Sequence, residues 1–554
     1  MGDECVGFHA VVLASRCWRT ALARQTIGAY GRIVSIPADD DVGNRKRGRG
    51  RDELVTELLR LSLSRIQYEH RILADGRSGA STLGKDPYDA AVGDLADGTR
   101  PSRGPRGEHP MSRRYGQSQN SRPTRPEITP PKLVKALRNF NLLPAIVFLP
   151  TRRRCDESVS EVAADKSQQA DPERQLRRQQ ILDEFLVEYP EISDHKHVGL
   201  IVRSGVAAHH AGHIPSWKLL IERMMSAGLL NALFATSTVA AGVDFPARTV
   251  VISNADTRGN DGWRPLTASE LQQMTGRAGR RGRDNVGFVV LVPGQFQNPK
   301  KIAELLKAPP DALESQFRAT YISLLNLLDA FGSFEQVREV TEKSYAFRDS
   351  RRQSAERKRS DGAEMLGERI WEPFRAKARV LDHFGYLDIE SETVTESGKW
   401  LADLRIDRPL LIGEALKAGI FNELSLPHAA GLIAAVAADA ERSYGEMRTS
   451  RTMNDVLTDL EEIVVTVSNV EWKNGVEPIE EINYSAAAAA ERWTQGMVWD
   501  ELVDRTKAEE GDLVRLLSRT GEALRQLANL RPSNPRTAAI AGGAADAILR
   551  DPVR

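Results

Sequence analysis

The chain has 554 residues but no excess of charge, few cysteines and no long apolar run, and each absence excludes a class of protein. Lys+Arg and Asp+Glu both number 76, so a nucleic-acid partner must be met by local basic segments. Cys5, Cys17 and Cys155 are scattered, which excludes a disulfide framework and a cysteine metal motif. No apolar run approaches the ~18 residues that cross a membrane, and the N-terminus lacks a signal-peptide pattern. We therefore expect a cytoplasmic protein with no membrane partner.

The most informative segment is 273–284, which reads QMTGRAGRRGRD. It places Gln273, Arg277 and Arg280 in the pattern Q-x-x-G-R-x-G-R, and arginines three apart on a helix share one face. A guanidinium is always charged and binds phosphate oxygens through two parallel hydrogen bonds. Glycines such as Gly276 let two backbones approach closely. The segment favours phosphate binding at a site between two domains; the plain alternative is a basic Gly-Arg loop without chemistry.

Three upstream segments accompany this one in a fixed order. They are a buried strand entering a basic helix at 145–155, AAHHAGHIP at 207–215, and LFATSTVAAGVDFPARTVVI at 233–252. Together the four resemble motifs IV, IVa, V and VI of superfamily 2 helicases. The residues of these segments look most like those of the superkiller-type DExH-box RNA helicases, the exosome-associated group and its bacterial relatives. The resemblance covers about residues 127–530 and implies ATP-dependent 3′-to-5′ translocation and unwinding of RNA.

The resemblance also implies roles for individual residues. Arg277 and Arg280 would be arginine fingers, and Gln273 would position the attacking water or the γ-phosphate. Near the ribose and the interdomain seam would lie Gly242, Asp244 and Gly276, although the family often has Asn at the Asp244 position. Phe148 and Arg152 would lie on the adenine side. Contacts to RNA phosphates, which suit hydroxyl and basic side chains, would come from Thr236, Thr238, Ser204, His210, Arg515 and Arg519.

Two of these assignments have plain alternatives. The helix carrying Arg515 and Arg519 resembles the family's ratchet helix, but it also fits an amphipathic packing helix with a solvated charged face. His209, His210 and His213 invite a metal-binding interpretation. Because no further ligand lies close in sequence, we predict no metal and a strand-end turn with its bend at Gly212.

The pattern of apolar residues predicts an α/β plus all-α chain. Residues 1–125 are unassigned and partly disordered, rich in Arg, Gly and Pro, with a candidate helix at Val11–Tyr30. Residues 127–297 read as one RecA-like parallel-sheet domain, 298–370 as a winged helix and connector, 371–530 as a helical C-terminal domain of the DSH type, and 531–554 as a loose tail. The candidate strands are Ala145–Leu149, Val206–His209, Asn231–Ala235, Thr249–Ser253 and Gly287–Leu291. The candidate helices include Pro172–Tyr189, Ser216–Ala227 and Glu510–Leu530.

A first RecA-like domain with a phosphate-binding loop is not recognisable. Residues 79–85 fit G-x-x-x-x-G-K, but Asp86 stands where a magnesium-binding hydroxyl belongs and no apolar strand precedes. ATP and Mg²⁺ would therefore be shared with a missing or separate first domain. Three interpretations stay open: a truncated helicase gene, one half of a split helicase whose partner chain supplies the P-loop, and a catalytically silent RNA-binding fragment. We expect the partner to be single-stranded RNA or an RNA duplex with an overhang, with a separate chain supplying the P-loop domain if the helicase is split.

Overall fold

The computed structural model describes two strands near the N-terminus and most of residues 128–554. The gaps are 167–170, 241–244, 246, 260–261, 281–283, 285, 293, 295, 316, 357–362, 440–441 and 479–480. Gly242 and Asp244, the loop at 79–86 and the remainder of 1–125 therefore lie outside the described residues. The chain divides into two compact units. The sheet unit comprises residues 1–151, 164–168 and 231–308, and the helical unit comprises 152–163, 169–230 and 309–554.

The sheet unit is built on parallel strands. Their spatial order begins at the N-terminal strands and runs Ile33–Pro37, Gly7–Ala14, Val286–Leu291, Thr249–Ile252, Ala145–Phe148 and Ala232–Ala235. The last three are four-residue apolar runs that are buried throughout, because a parallel sheet is covered on both faces. Each agrees with its predicted strand to within one residue at either end, so the predicted parallel sheet is confirmed.

The N-terminal segment differs from its prediction. The apolar run Gly7–Ala14 is a strand, paired in parallel with Val286–Leu291 on one side and Ile33–Pro37 on the other. The helix predicted from Val11 is therefore wrong for Val11–Ala14. Adjacent valines suit a strand better than a helix because their branched β-carbons restrict side-chain rotation.

Short helices and one hairpin complete the sheet unit. The hairpin pairs Asp256–Gly259 with Gly262–Pro265 in antiparallel fashion. Thr267 begins the helix that precedes the arginine segment, through a capping box with Glu270. The helices are Pro130–Asn139, Ala268–Thr275 and Pro299–Lys307, with a 3₁₀ turn at Ser237–Ala240.

The helical unit contains one strand of the predicted α/β region, Val206–His209, and many helices. Arg178 is buried here and donates through Nε to the Val202 carbonyl (2.7 Å) and through Nη1 to that of Leu229 (3.0 Å). These bonds tie a long charged helix to the elements beside it. The helices of this part are Arg152–Ala164, Pro172–Glu188, Val198–Ser204 and Pro215–Ser226.

The remainder of the helical unit is mainly α-helical. A two-stranded antiparallel ribbon, Leu387–Asp388 with Thr393–Val394, interrupts the range predicted as all-α, because the Asp388 carboxylate accepts from the amides of Glu390 and Ser391 and turns the chain. No described helix is both long enough and apolar enough to cross a bilayer. The helices are Tyr321–Phe331, Phe334–Glu342, Tyr345–Glu356, Ala363–His383, Glu396–Asp403, Pro409–Lys417, Leu426–Ala437, Arg451–Lys473, Tyr484–Thr494, Trp499–Thr506, Glu510–Ala528 and Pro535–Ile548.

The C-terminal segment is ordered, so its prediction as a loose tail is wrong. Pro535–Ile548 is a helix with Ala541, Ala544 and Ile548 buried. Trp493 donates through Nε1 to the Ile548 carbonyl (2.8 Å), and the Arg550 guanidinium lies 3.4 Å from the Trp493 ring centroid. Alanine side chains are too small to give a clear apolar stripe in the sequence, but they allow helices to pack closely.

Candidate nucleotide and nucleic-acid interface

The arginine segment lies in a turn, not on a helix. The helix Ala268–Thr275 ends at Gly276, and a β-bridge joins Ala247 to Ala278. Ala247 donates to the Arg277 carbonyl (3.1 Å) and Gly279 donates to the Ala247 carbonyl (2.7 Å). Gly279 has φ +90°, a conformation that favours glycine. The prediction that the arginines share one helical face is therefore wrong, because the helix stops before the first of them.

Arg277 is half-buried and bonds within the sheet unit. Its Nε and Nη2 donate to the Ala240 carbonyl at 3.1 and 2.7 Å. A guanidinium has five N–H donors, so these two bonds leave donors for a phosphate. Gln273 lies exposed on the preceding helix, and Gly276, which ends that helix, is also exposed. The fixed backbone beside Ala247 thus holds Arg277 in one orientation.

Arg280 is held by an internal carboxylate. Asp284 accepts from Arg280 Nε (2.7 Å), Nη2 (3.1 Å) and the Arg280 amide (3.0 Å), and Arg248 Nη1 lies 3.4 Å away. Burial raises the pKa of Asp284, but the bonds from Arg280 outweigh burial and hold that pKa below its ordinary value. Asp284 is therefore ionised at neutral pH, and a phosphate must compete with it for Arg280.

Two predicted RNA contacts lie together at the carboxyl end of a strand. Thr236 and Thr238 follow Ala232–Ala235, with their Oγ1 atoms 2.9 Å apart. Thr238 is exposed and Thr236 is half-buried. The carboxyl edge of a parallel sheet is where ligands bind in such folds. This pair presents hydroxyls that suit phosphate binding.

An exposed aromatic pair was not found from the sequence. Trp263 on the hairpin and Phe296 are 55% and 56% exposed, and their rings stack with centroids 6.1 Å apart. Aromatic faces bind unpaired bases without sequence preference. A tryptophan in the polar hairpin sequence was the available signal, but the second ring comes from 33 residues farther along the chain.

The helix Glu510–Ala528 presents its two predicted arginines differently. Arg515 is exposed, and its charge contributes, after burial, to lowering the pKa of Lys218. Arg519 forms ion pairs with Asp407 (2.8 Å) and Asp439 (3.7 Å). Arg515 therefore forms a basic patch with the half-buried Lys218, while Arg519 is engaged in ion pairs within the protein.

The role suggested for Phe148 and Arg152 on the adenine side stays a prediction. Phe148 is buried at the sheet. Arg152 Nη1 lies 2.6 Å from Glu509 and 2.7 Å from Asp512, at the start of the helix Glu510–Ala528. Arg152 thus anchors that helix through two ion pairs.

A buried histidine cluster surrounds Asp156. His210 Nε2, His213 Nε2 and His197 Nε2 lie 3.1, 3.3 and 3.8 Å from Asp156 Oδ1, and the three rings are at most 3% exposed. The Gly212 amide donates to His210 Nδ1 (3.1 Å), so His210 donates through Nε2 to the carboxylate. The assignment of His210 as an RNA contact stays a prediction, and it would require this enclosed, hydrogen-bonded ring to become exposed. Ser204, also predicted to contact RNA, donates to the Leu200 carbonyl of its own helix (2.6 Å).

Burial sets the protonation of this cluster. It lowers the pKa of His197 to about 4 and that of His213 to about 3, so both rings are neutral at pH 7. Burial alone raises the pKa of Asp156, but His210, His213 and Lys196 outweigh it and hold that pKa far below its usual range. The cluster is a carboxylate facing neutral imidazoles. The prediction of no metal assumed that no further ligand is near the histidines, and this assumption is wrong. Asp156 lies 54 residues before His210 in the sequence, but the fold brings its carboxylate within 3.1 Å of the His210 ring.

Comparison with known proteins agrees with the motifs. The DSHCT (NUC185) domain family matches residues 391–554. The DExH-box ATP-dependent RNA helicase DExH15 chloroplastic of Arabidopsis thaliana is 38% identical over 228 residues, 38% of this chain and 19% of that protein. Antiviral helicase SKI2 of Saccharomyces cerevisiae is 37% identical over 209 residues, 36% of this chain and 16% of that protein. Over the matched residues the chain is similar to the C-terminal part of superkiller-type DExH-box helicases.

A bacterial relative shows the same relationship. Probable helicase HelY of Mycobacterium tuberculosis is 33% identical over 221 residues, 39% of this chain and 24% of that protein. The matched segment thus spans about a fifth of each superkiller-type relative. Within this C-terminal part, the structure brings Thr236 and Thr238 together at a strand end, and places Arg277 and Arg280 on one turn.

Proposed function

We propose that this chain forms the RNA-binding, C-terminal portion of an ATP-dependent RNA helicase that translocates 3′-to-5′. In this proposal the sheet unit provides a second RecA-like domain and the helical unit includes a winged helix. The observation that carries the proposal is that Gln273, Arg277 and Arg280 are intact beside a matched C-terminal helicase domain. A pure binding module would retain basic surface without needing that arrangement.

Arg277 and Arg280 would act on ATP together with Mg²⁺ held by a first RecA-like domain from elsewhere. A bound triphosphate supplies negative charge that grows toward the transition state, and arginines placed against it stabilise that charge. Arg277 has donors left after its bonds to the Ala240 carbonyl. Arg280 would exchange Asp284 for phosphate oxygens. Gln273, exposed on the neighbouring helix, would orient the attacking water.

RNA binding would rest on hydroxyls, basic side chains and stacked rings. Thr236 and Thr238 would bind one phosphate, and Arg515 with Lys218 would attract the backbone electrostatically. Trp263 and Phe296 would stack on unpaired bases. None of these groups reads base identity, so we expect little sequence preference for RNA.

The first test measures binding of a fluorescent single-stranded RNA to the purified chain at several salt concentrations. Arg515→Ala should lower the slope of log affinity against log salt by about one. Arg531→Ala, an exposed arginine in the same unit, is the matched control and should leave the slope unchanged. Absence of salt-sensitive binding would overturn the RNA-binding part of the proposal.

The second test measures ATP turnover with and without RNA, alone and after adding a purified first RecA-like domain of a relative. We expect RNA-stimulated turnover only in the mixture, and its loss in Arg277→Ala. A catalytically silent RNA-binding fragment is the second candidate, favoured by Asp86 in the only G-x-x-x-x-G-K sequence. RNA binding with no turnover in the mixture would select that candidate.

A further inference from the structure

The histidine cluster has the geometry of a metal site. The three Nε2 atoms lie 3.1, 3.3 and 3.8 Å from one carboxylate oxygen, Asp156 Oδ1. A tetrahedral zinc ion with bonds of about 2.0–2.1 Å keeps neighbouring ligand atoms about 3.3 Å apart. One ligand atom from each of Asp156, His210 and His213 lies within 4.8 Å of the others. Imidazole suits zinc, copper, iron and nickel, and zinc also accepts an aspartate oxygen beside histidine nitrogens.

The surroundings also fit an ion. His213 is 2% exposed, and neither of its ring nitrogens is aligned in a hydrogen bond with any described residue. A buried polar ring without a partner is costly unless something binds it. Lys196 Nζ donates to the second oxygen of Asp156 (2.7 Å), which leaves Oδ1 as a single ligand atom. Such outer contacts orient metal-binding carboxylates.

We propose that Asp156, His210 and His213 bind a divalent transition-metal ion, zinc first among them. For His210 Nε2 to bind the ion, its proton must move to Nδ1, and the Gly212 amide, which donates to Nδ1 in this structure (3.1 Å), must then turn away. The ion thereby joins the helix Arg152–Ala164 to the turn after Val206–His209. These three groups leave one coordination position for a water molecule or for a movement of His197, whose Nε2 lies 3.8 Å from Asp156 Oδ1.

The position of the site gives the ion a mechanical consequence. Gly212, in the histidine turn, accepts from the Gly511 amide (2.9 Å), and Arg152, one turn before Asp156, pairs with Asp512. Both contacts fix the start of the helix that carries Arg515. An ion at Asp156 would therefore stiffen the support of the basic patch, independently of ATP chemistry.

The test is metal content of the purified full chain after incubation with zinc sulfate and exhaustive dialysis. We expect one zinc per chain, and none in Asp156→Asn or His213→Asn. His383→Asn, an exposed histidine of the same unit, should keep the ion. Substoichiometric zinc in the wild-type chain, or full zinc in both cluster variants, would overturn the proposal.

Two further readouts keep the test decisive where a variant folds poorly. Cobalt(II) added to the wild-type chain should give ligand-field absorption of a four-coordinate ion without a thiolate charge-transfer band, because Cys155 is not a ligand. Zinc should also raise the melting temperature of the wild-type chain by several degrees and leave that of folded His213→Asn unchanged. Octahedral cobalt spectra with no thermal shift would mean that the cluster is only packing.

Discussion

Replacement of Gly511 by alanine tests how the helix Glu510–Ala528 is seated. A β-carbon at Gly511 would lie 2.3 Å from the Ala211 carbonyl oxygen and 2.6 Å from that of His213, both backbone atoms. Ordinary contact begins near 3.4 Å, so the two segments must separate by about 1 Å (3.4 minus 2.3). The bond from the Gly511 amide to the Gly212 carbonyl (2.9 Å) would lengthen with them.

The cost follows from these contacts. Overpacking in a tight contact costs about 1–3 kcal/mol, and a lost hydrogen bond adds about 1 kcal/mol. The sum is roughly 2–4 kcal/mol. Because the melting entropy grows with the size of the unit, which here has about 320 residues, the fall in melting temperature is roughly 3–6 °C. Circular dichroism during heating measures it.

Gly199→Ala is the matched control. Gly199 lies on the helix Val198–Ser204 of the same unit, with nothing within 4 Å of an added β-carbon. Alanine there should stabilise by up to about 1 kcal/mol, because glycine is a poor helix former. If Gly511→Ala melted with the wild-type chain or with this control, the close approach of the two backbones would be refuted.

Two further predictions concern charged contacts. Asp284→Asn should lower the melting temperature at neutral pH. The pKa of Asp284 is depressed in the folded protein, so its ionised carboxylate stabilises the fold fully above the ordinary carboxyl pKa of about 3.9. This stabilisation is lost as the pH falls through the folded-state pKa, so the melting temperatures of wild type and variant should converge in acid. Arg550→Ala removes hydrogen bonds to the Trp493 and Met497 carbonyls (2.8 and 2.5 Å) and a cation–π contact with the Trp493 ring. This should lower the free energy of unfolding in urea by about 2–3 kcal/mol, whereas Arg531→Ala should leave it unchanged. Equal urea midpoints for the two variants would contradict a docked C-terminus.

The sequence predicts the parts of this chain that depend on local pattern. Short apolar runs such as Ala145–Phe148 are visible because a buried strand needs apolar residues on both faces. The C-terminal helix Pro535–Ile548 is not visible, because alanine and glycine give no apolar stripe and its stability comes from Trp493 and Arg550.

The candidate site is predictable only in part, for a related physical reason. Motif residues such as Arg277 and Thr236 are close in sequence to what positions them. The neighbours of Asp156 come from 40 to 57 residues along the chain, and Arg152 reaches residues more than 350 positions away. Tertiary contacts between residues so far apart produce no periodic pattern in the sequence. Neither the proposed metal ligands nor the burial of His210 can therefore be predicted from the sequence alone.

The ion pair between Arg280 and Asp284 means that any anion binding at Arg280 must compete with a carboxylate of the same chain. An incoming anion must displace a carboxylate that already satisfies the guanidinium through both of its oxygens. A singly charged or distant anion gains too little to do so, whereas a terminal phosphate brings more charge and more acceptor oxygens. Asp284 thus sets a threshold for anion binding at Arg280: a singly charged anion such as chloride or a monocarboxylate offers too little charge and too few oxygens to replace the Asp284 carboxylate.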